Sequence, residues 1–114
     1  MDRFPPENAA SIPLPVDLPA PAPVLTTKQT LAISRAIADP RRFEVLRLIA
    51  RGDSRCSELR SCLPITAATL SHHMKELESA DLIETTRTGK FVTATLRRDI
   101  WSAYLAGLQS LLAL

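Results

Sequence analysis

The residues of this chain best equipped for chemistry sit in the run Thr66-Ala-Ala-Thr-Leu-Ser-His-His-Met-Lys-Glu-Leu77, where two adjacent histidines stand between a serine and a lysine. At about 100° per residue on a helix, Leu70, His73, Met74 and Leu77 share one side, while Ala68, Ser71, His72, Lys75 and Ser79 share the other. The first side can pack and the second is free to touch something. Short hydroxyl, imidazole and ammonium groups among small neighbours suit the major groove of DNA, where bulk would hold the backbone too far from the base edges. The plain alternative is a solvated helix face. In the groove-facing reading His72 looks outward, and His73 is a buried, hydrogen-bonded residue that orients the helix.

Metal and catalytic chemistry fare worse. Zinc needs three or four ligands converging at about 2.0–2.3 Å, and no set drawn from Cys56, Cys62, His72, His73 and the carboxylates has suitable spacing on one face. No metal or other cofactor is therefore expected. An enzyme would want a positioned nucleophile or acid in a pocket; the chain has no glycine-rich phosphate loop and no paired carboxylates. Cys56 and Cys62 are six residues apart, which on a continuous helix is about 9 Å of rise and about 240° of turn, too far for a direct bridge without unwinding. Pairing between subunits remains open.

The elements that must hold the 66–80 helix follow from the neighbouring residues. Residues 57–63 read as a short helix, Pro64-Ile65 as a turn that cannot continue it, and Thr66 as the N-cap of the next helix. That is helix-turn-helix spacing. Residues 82–87 and 90–96 are β-branched, threonine-rich runs joined at Thr88-Gly89, a hairpin signal. Thr26 or Thr27 can cap a first helix through Ala38 with Leu31, Ile33 and Ile37 apolar. Asp39 can cap a second with Pro40 at its first position, Phe43, Leu46, Ile49 and Ala50 as its buried face, and Gly52 as its end. A last helix runs from about Arg98 to Ala113. The fold class is mainly α with a small β-hairpin: a winged helix-turn-helix of about five helices and a two-stranded wing, over residues 26–114.

These residues resemble the ArsR/SmtB-like family of bacterial winged-helix regulators. The resemblance rests on Ala38-Asp-Pro-Arg-Arg-Phe-Glu-Val-Leu46, on Leu70-Ser-His-His-Met-Lys-Glu-Leu77, and on the hairpin bearing Arg87 and Lys90; it runs without a gap from about Ala36 to Leu96. It implies a dimer formed by the first and last helices. It also implies where metal ligands would lie in sensing members: a Cys-x-Cys at the start of the helix before the turn, which here reads Arg55-Cys56-Ser57, and Asp/His pairs on the last helix, which here offers Asp99 and no histidine. Neither site is intact. The places of Cys56 and Cys62 are usually apolar in the family, so buried packing is the default for both, with a thiol switch responding to oxidation or a soft ion as the alternative.

The last helix is apolar at Ile100, Trp101, Tyr104, Leu105, Leu108, Leu111 and Leu112, a stripe too wide for one small subunit to cover. With Leu31, the residues Ile100, Trp101, Tyr104, Leu105, Leu108 and Leu112 are expected to form a homodimer interface, and two-fold symmetry then predicts an inverted-repeat DNA site with reading helices about 34 Å apart. The 114 residues carry a net charge of +2, which permits nucleic-acid binding without arguing for it. Residues 1–25 hold seven of the nine prolines and read as a disordered or semi-rigid arm serving as a spacer. Neither a signal peptide nor a run of roughly 18 apolar residues is visible, so a cytoplasmic location is expected, with both cysteines as thiols.

The sequence thus predicts a DNA-binding transcriptional regulator, a homodimeric repressor. Its reading surface is Thr66, Ala67, Ala68, Thr69, Ser71, His72 and Lys75, and its wing contacts are Arg87, Thr88 and Lys90, with double-stranded DNA as the partner. Arg41, Arg42, Arg47, Arg51, Arg55 and Arg60, spread over the preceding helices, are further candidates for phosphate contact. Two readings compete with it: a thiol-responsive repressor using Cys56 and Cys62, and a winged-helix protein-interaction module that does not bind DNA.

Overall fold

The computed structural model describes residues 23–52 and 55–114. The expectation of a proline-rich arm falls mostly on residues 1–22, outside the described residues, and the side chain of Cys56 also lies outside the description.

Five helices and one hairpin follow each other as α1 (Thr27–Ile37), α2 (Pro40–Arg51), α3 (Cys56–Cys62), α4 (Ala67–Ser79), β1 (Ile83–Thr88), β2 (Phe91–Leu96) and α5 (Arg98–Leu111). Their ends are set by local chemistry. Thr26 and Gln29 cap α1 reciprocally: the Gln29 amide donates to Thr26 Oγ1 at 3.0 Å and the Thr26 amide to Gln29 Oε1 at 2.7 Å, which satisfies two donors a bare helix start would leave unpaired. Asp39 accepts from the Arg42 amide at 2.9 Å ahead of Pro40, and Gly52 closes α2 in the left-handed region at φ +116°, where a Cβ would be strained.

The hairpin pairs Thr88 with Phe91 and Ile83 with Leu96. Its two-residue turn is therefore Gly89-Lys90, one place later than the sequence predicted. With φ +61°, Gly89 takes the first central position of a tight hairpin turn, the place where a left-handed glycine matches the twist of the strands. Arg55 adds a lone antiparallel bridge to Thr93, which ties the start of α3 to the outer edge of the wing.

The core is continuous through all the helices and the hairpin: Ile33 of α1, Val45 and Ile49 of α2, Leu59 of α3, Leu70 and Leu77 of α4, Leu82, Ile83, Ala94 and Ile100 of α5. Helix α4 packs against α1, α2, α3 and β1, and α5 packs on α1. A hydrogen bond of 2.8 Å between Ser34 Oγ and Tyr104 Oη joins these last two.

Two expectations about burial are corrected. Phe43 is 39% exposed and Ala50 only half-buried, while Val45, Leu46, Leu48 and Ile49 point inward. The inward direction is centred near Val45 and Ile49, so Phe43 falls about 140° away and Ala50 about 120°. Cys62 is exposed rather than packed. Helix α3 is only seven residues long, and Leu59 and the capping residue Leu63 fill its inward places.

Candidate nucleic-acid interface

Pro64 breaks the chain direction after Leu63, and Thr66 restarts it as an extended residue whose Oγ1 accepts from the Thr69 amide at 3.1 Å. The same hydroxyl donates to Thr69 Oγ1 at 2.9 Å. Thr66 is thereby engaged as a cap, and the hydroxyl proton left for an outside acceptor is that of Thr69.

Helix α4 is two-sided. Leu70, His73, Met74 and Leu77 are buried, between 0% and 7% exposed, and anchor it on α1, α2 and β1. Ala67, Ala68, Thr69, Ser71, His72 and Lys75 are exposed. Arg87, Thr88 and Lys90 are likewise exposed on the hairpin. Among the described residues Lys75, Arg87 and Lys90 have no carboxylate partner, so their charge is available to an anionic surface. The side chains lie on rigid elements: Glu78 at the end of α4 accepts from Thr85 Oγ1 at 2.7 Å, fixing the wing to the helix.

The two histidines point apart as their phase predicts, with His72 exposed and His73 7% exposed. His73 departs from expectation in one respect: its Nδ1 is buried with no hydrogen-bond partner among the described residues. Burial holds its pKa below the ordinary imidazole value, against the opposing pull of the Asp39 carboxylate, while Arg42, His72 and Arg41 add to the lowering. It is a neutral packing group behind the exposed face.

The arginines of α2 and α3 divide by partner. Arg41 is bonded to Glu44 at 2.7 Å, and Arg42 donates to the Ala36 carbonyl at 3.1 Å, so both serve the fold. Arg55 lies 4.7 Å from the centre of the Phe91 ring, a cation–π contact at the wing that the sequence reading missed because the two residues meet only through the Arg55–Thr93 bridge. Among the described residues no group of three or more His, Cys, Asp and Glu could hold a metal ion, and no helix is long and apolar enough to cross a membrane.

Of the expected dimer residues, Ile100 and Tyr104 are 6% and 5% exposed within the subunit, Trp101 and Leu108 are half-buried, and Leu31, Leu105 and Leu112 are exposed. The inner face of α5 is used up by its own subunit.

A helix-turn-helix pair followed by a hairpin whose first strand rests on the second helix of the pair and whose second strand rests on α2 and α3 defines a winged helix-turn-helix domain. A helix-turn-helix domain family matches residues 37–86, from the end of α1 to the middle of β1. The chain is similar to the transcriptional repressor SdpR of Bacillus subtilis, with 29% identity over 68 residues, 60% of this chain and 76% of that protein. It is similar to the arsenical resistance operon repressor of Staphylococcus xylosus, with 32% identity over 65 residues, 57% of this chain and 62% of that one. In structure it resembles the homodimeric winged helix-turn-helix DNA-binding domain of Mb0332 from Mycobacterium bovis, a possible ArsR-family transcriptional regulator, with a TM-score of 0.59 at 21% identity over 75% of this chain and 78% of that domain. The chain thus has a winged helix-turn-helix fold and is similar in sequence to these bacterial repressors.

Proposed function

We propose that the protein is a homodimeric transcriptional repressor that occupies an inverted-repeat operator in the cytoplasm through α4 and the wing. The observation that carries this reading is the division of α4: small and polar residues outward over an apolar anchor, next to hairpin cations that no carboxylate among the described residues neutralises. In this reading Ala67, Ala68, Ser71 and His72 approach base edges and thymine methyls, while Thr69, Lys75, Arg87, Thr88 and Lys90 contact the backbone, with Thr66 holding the helix start. The exposed leucines Leu31, Leu105, Leu111 and Leu112, from 46% to 66% exposed, with Leu108 beside them, supply the dimer face in place of Ile100 and Tyr104. Residues 26–114 form the binding and dimerisation unit and residues 1–25 a spacer. The repressor names of two relatives and the homodimeric neighbour support the same reading.

A gel shift against the DNA upstream of its own gene tests it. Three unpaired cations per subunit make six per dimer, so affinity should fall about 10³-fold between roughly 50 and 200 mM salt. Absence of any retarded complex at the lower salt rejects DNA binding in favour of a protein-interaction module.

One observation favours a second reading of the signal. Cys62 is an exposed thiol at the end of α3, two residues before the turn that starts α4, so its modification would press on the supports of the reading helix. Equal DNA affinity of the wild type and Cys62→Ser, with and without a mild oxidant, removes that role.

A further inference from the structure

Between the first turns of α5 and the outer side of α2 lies a hollow of about 230 Å³ that neither the core nor the reading surface uses. Its apolar lining is Leu46, Ala50 and Leu96 together with the aromatic rings of Phe43 and Trp101. Phe43 leaves 39% of its surface uncovered, and the half-buried Trp101 is steadied by a ring contact with Tyr104, centroids 5.5 Å apart.

Two guanidinium groups, Arg47 and Arg98, rim this apolar surface. Arg98 donates from one terminal nitrogen to the Ala50 carbonyl at 3.3 Å, which lays the side chain toward α2 and leaves the rest of its fork of donors unbonded among the described residues. Neither arginine has a carboxylate partner among the described residues: on the same elements, Glu44 is bonded to Arg41 at 2.7 Å and Asp99 to Arg97 at 3.0 Å. Unmatched cations at the lip of an apolar hollow complement a ligand with one negative end and one greasy end.

We propose that this hollow is a binding site for a small, free monocarboxylate with a flat apolar body, its ring against Phe43 and Trp101 and its carboxylate on Arg47 and Arg98. The volume corresponds to about eight liquid water molecules and lies below the roughly 300–1,000 Å³ usual for drug-sized ligands, so the body is a single ring with a short chain. A DNA phosphate is a poor occupant, because it would leave the aromatic walls uncovered. Leu96 ends β2 and Arg98 begins α5, so a bound acid bridges the wing to the helix that carries the exposed leucines. An effect on operator affinity rests on the proposed DNA-binding role; the binding itself does not.

Trp101 is the only tryptophan, so its indole N–H gives one resonance that reports on the hollow in the full-length protein without DNA. 3-Phenylpropionate should shift that resonance saturably, and 3-phenylpropionamide should bind about tenfold more weakly for want of the charge. Arg47→Gln and Arg98→Gln should each weaken the acid roughly three- to tenfold and leave the amide unchanged, with the remaining amide spectrum showing that both variants are folded. The proposal is overturned by no saturable shift up to about 10 mM acid, by equal binding of acid and amide, or by indifference to both substitutions. It is also overturned if diluting the protein alone moves the indole resonance and concentrating it blocks the acid, since a second copy of the chain then fills the hollow. None of these outcomes depends on DNA, so failure here leaves the operator-binding reading intact, and failure of the gel shift leaves this site intact.

Discussion

His72 and His73 are neighbours in sequence with opposite surroundings, and their assignments can be separated by measurement. His72→Ala should relax sequence preference at a cost of roughly 1–3 kcal/mol for the best operator and little for random DNA. Lys90→Ala should weaken every sequence alike and lower the slope of log affinity against log salt by about one per subunit. The reverse pattern in competition gel shifts would exchange the two roles. His73 makes a pH prediction. Its imidazole is held neutral in the folded chain by burial, with Asp39 pulling the other way, whereas the unfolded chain binds a proton near the ordinary value of about 6.5. The unfolded state therefore takes up more protons as pH falls through that value, and stability drops on acidification until the lowered folded pKa is passed; above about pH 7.5 this group contributes no slope. Denaturant melts at pH 7.5 and 5.5 should show the loss in wild type and a smaller one in His73→Gln. At this scale the sequence was legible wherever helical phase decides exposure, as at Ser71, His72 and Met74. It misled at Phe43, because size and hydrophobicity were weighed ahead of the angle from Val45, and at Cys62, because a seven-residue helix has too few inward places for every apolar candidate.

Element ends were read more securely than element faces. Thr26, Asp39, Gly52 and Thr66 each act through bonds within a few residues, so their effect is local and visible in the order of residues alone. Thr66 carries the clearest consequence: its hydroxyl satisfies the Thr69 amide at 3.1 Å, and Thr66→Ala should destabilise the domain by about 1 kcal/mol. For a domain of this size that is a fall of about 4–8 °C in Tm. Thr66→Ser should restore most of it, and if Ala and Ser behave alike in thermal melts the cap is not what holds the start of α4. The hairpin was legible as a pair of strands, but its turn was misplaced by one residue, because Thr88-Gly89 and Gly89-Lys90 differ only in which residue meets the left-handed requirement. The bridge between Arg55 and Thr93, and the Arg55–Phe91 contact that comes with it, were not legible at all: both join residues almost forty apart, and no local pattern announces such a meeting.

For the whole molecule, the width of the α5 stripe argued for a partner, and the structure sorts that stripe into an inner part already covered and an outer part of leucines. Burying a carboxylate against a second copy is strongly unfavourable, so Leu105→Glu combined with Leu112→Glu should raise the dimer dissociation constant by at least about 10²-fold and leave the subunit fold intact. Sedimentation equilibrium and circular dichroism check the two halves of that statement; a dimer that survives both substitutions places the interface elsewhere. Binding to an inverted repeat should fall with the dimer, while binding to a single half-site should not. The bond between Ser34 and Tyr104 gives this arrangement a mechanical meaning. Because this bond joins the two helices that carry the proposed dimer face across their shared seam, sliding one past the other would break it. In the proposed dimer, a signal that re-aims one half would then have to swing an entire subunit as a lever, and the spacing between the two grooves it grips would change by rotation of rigid halves.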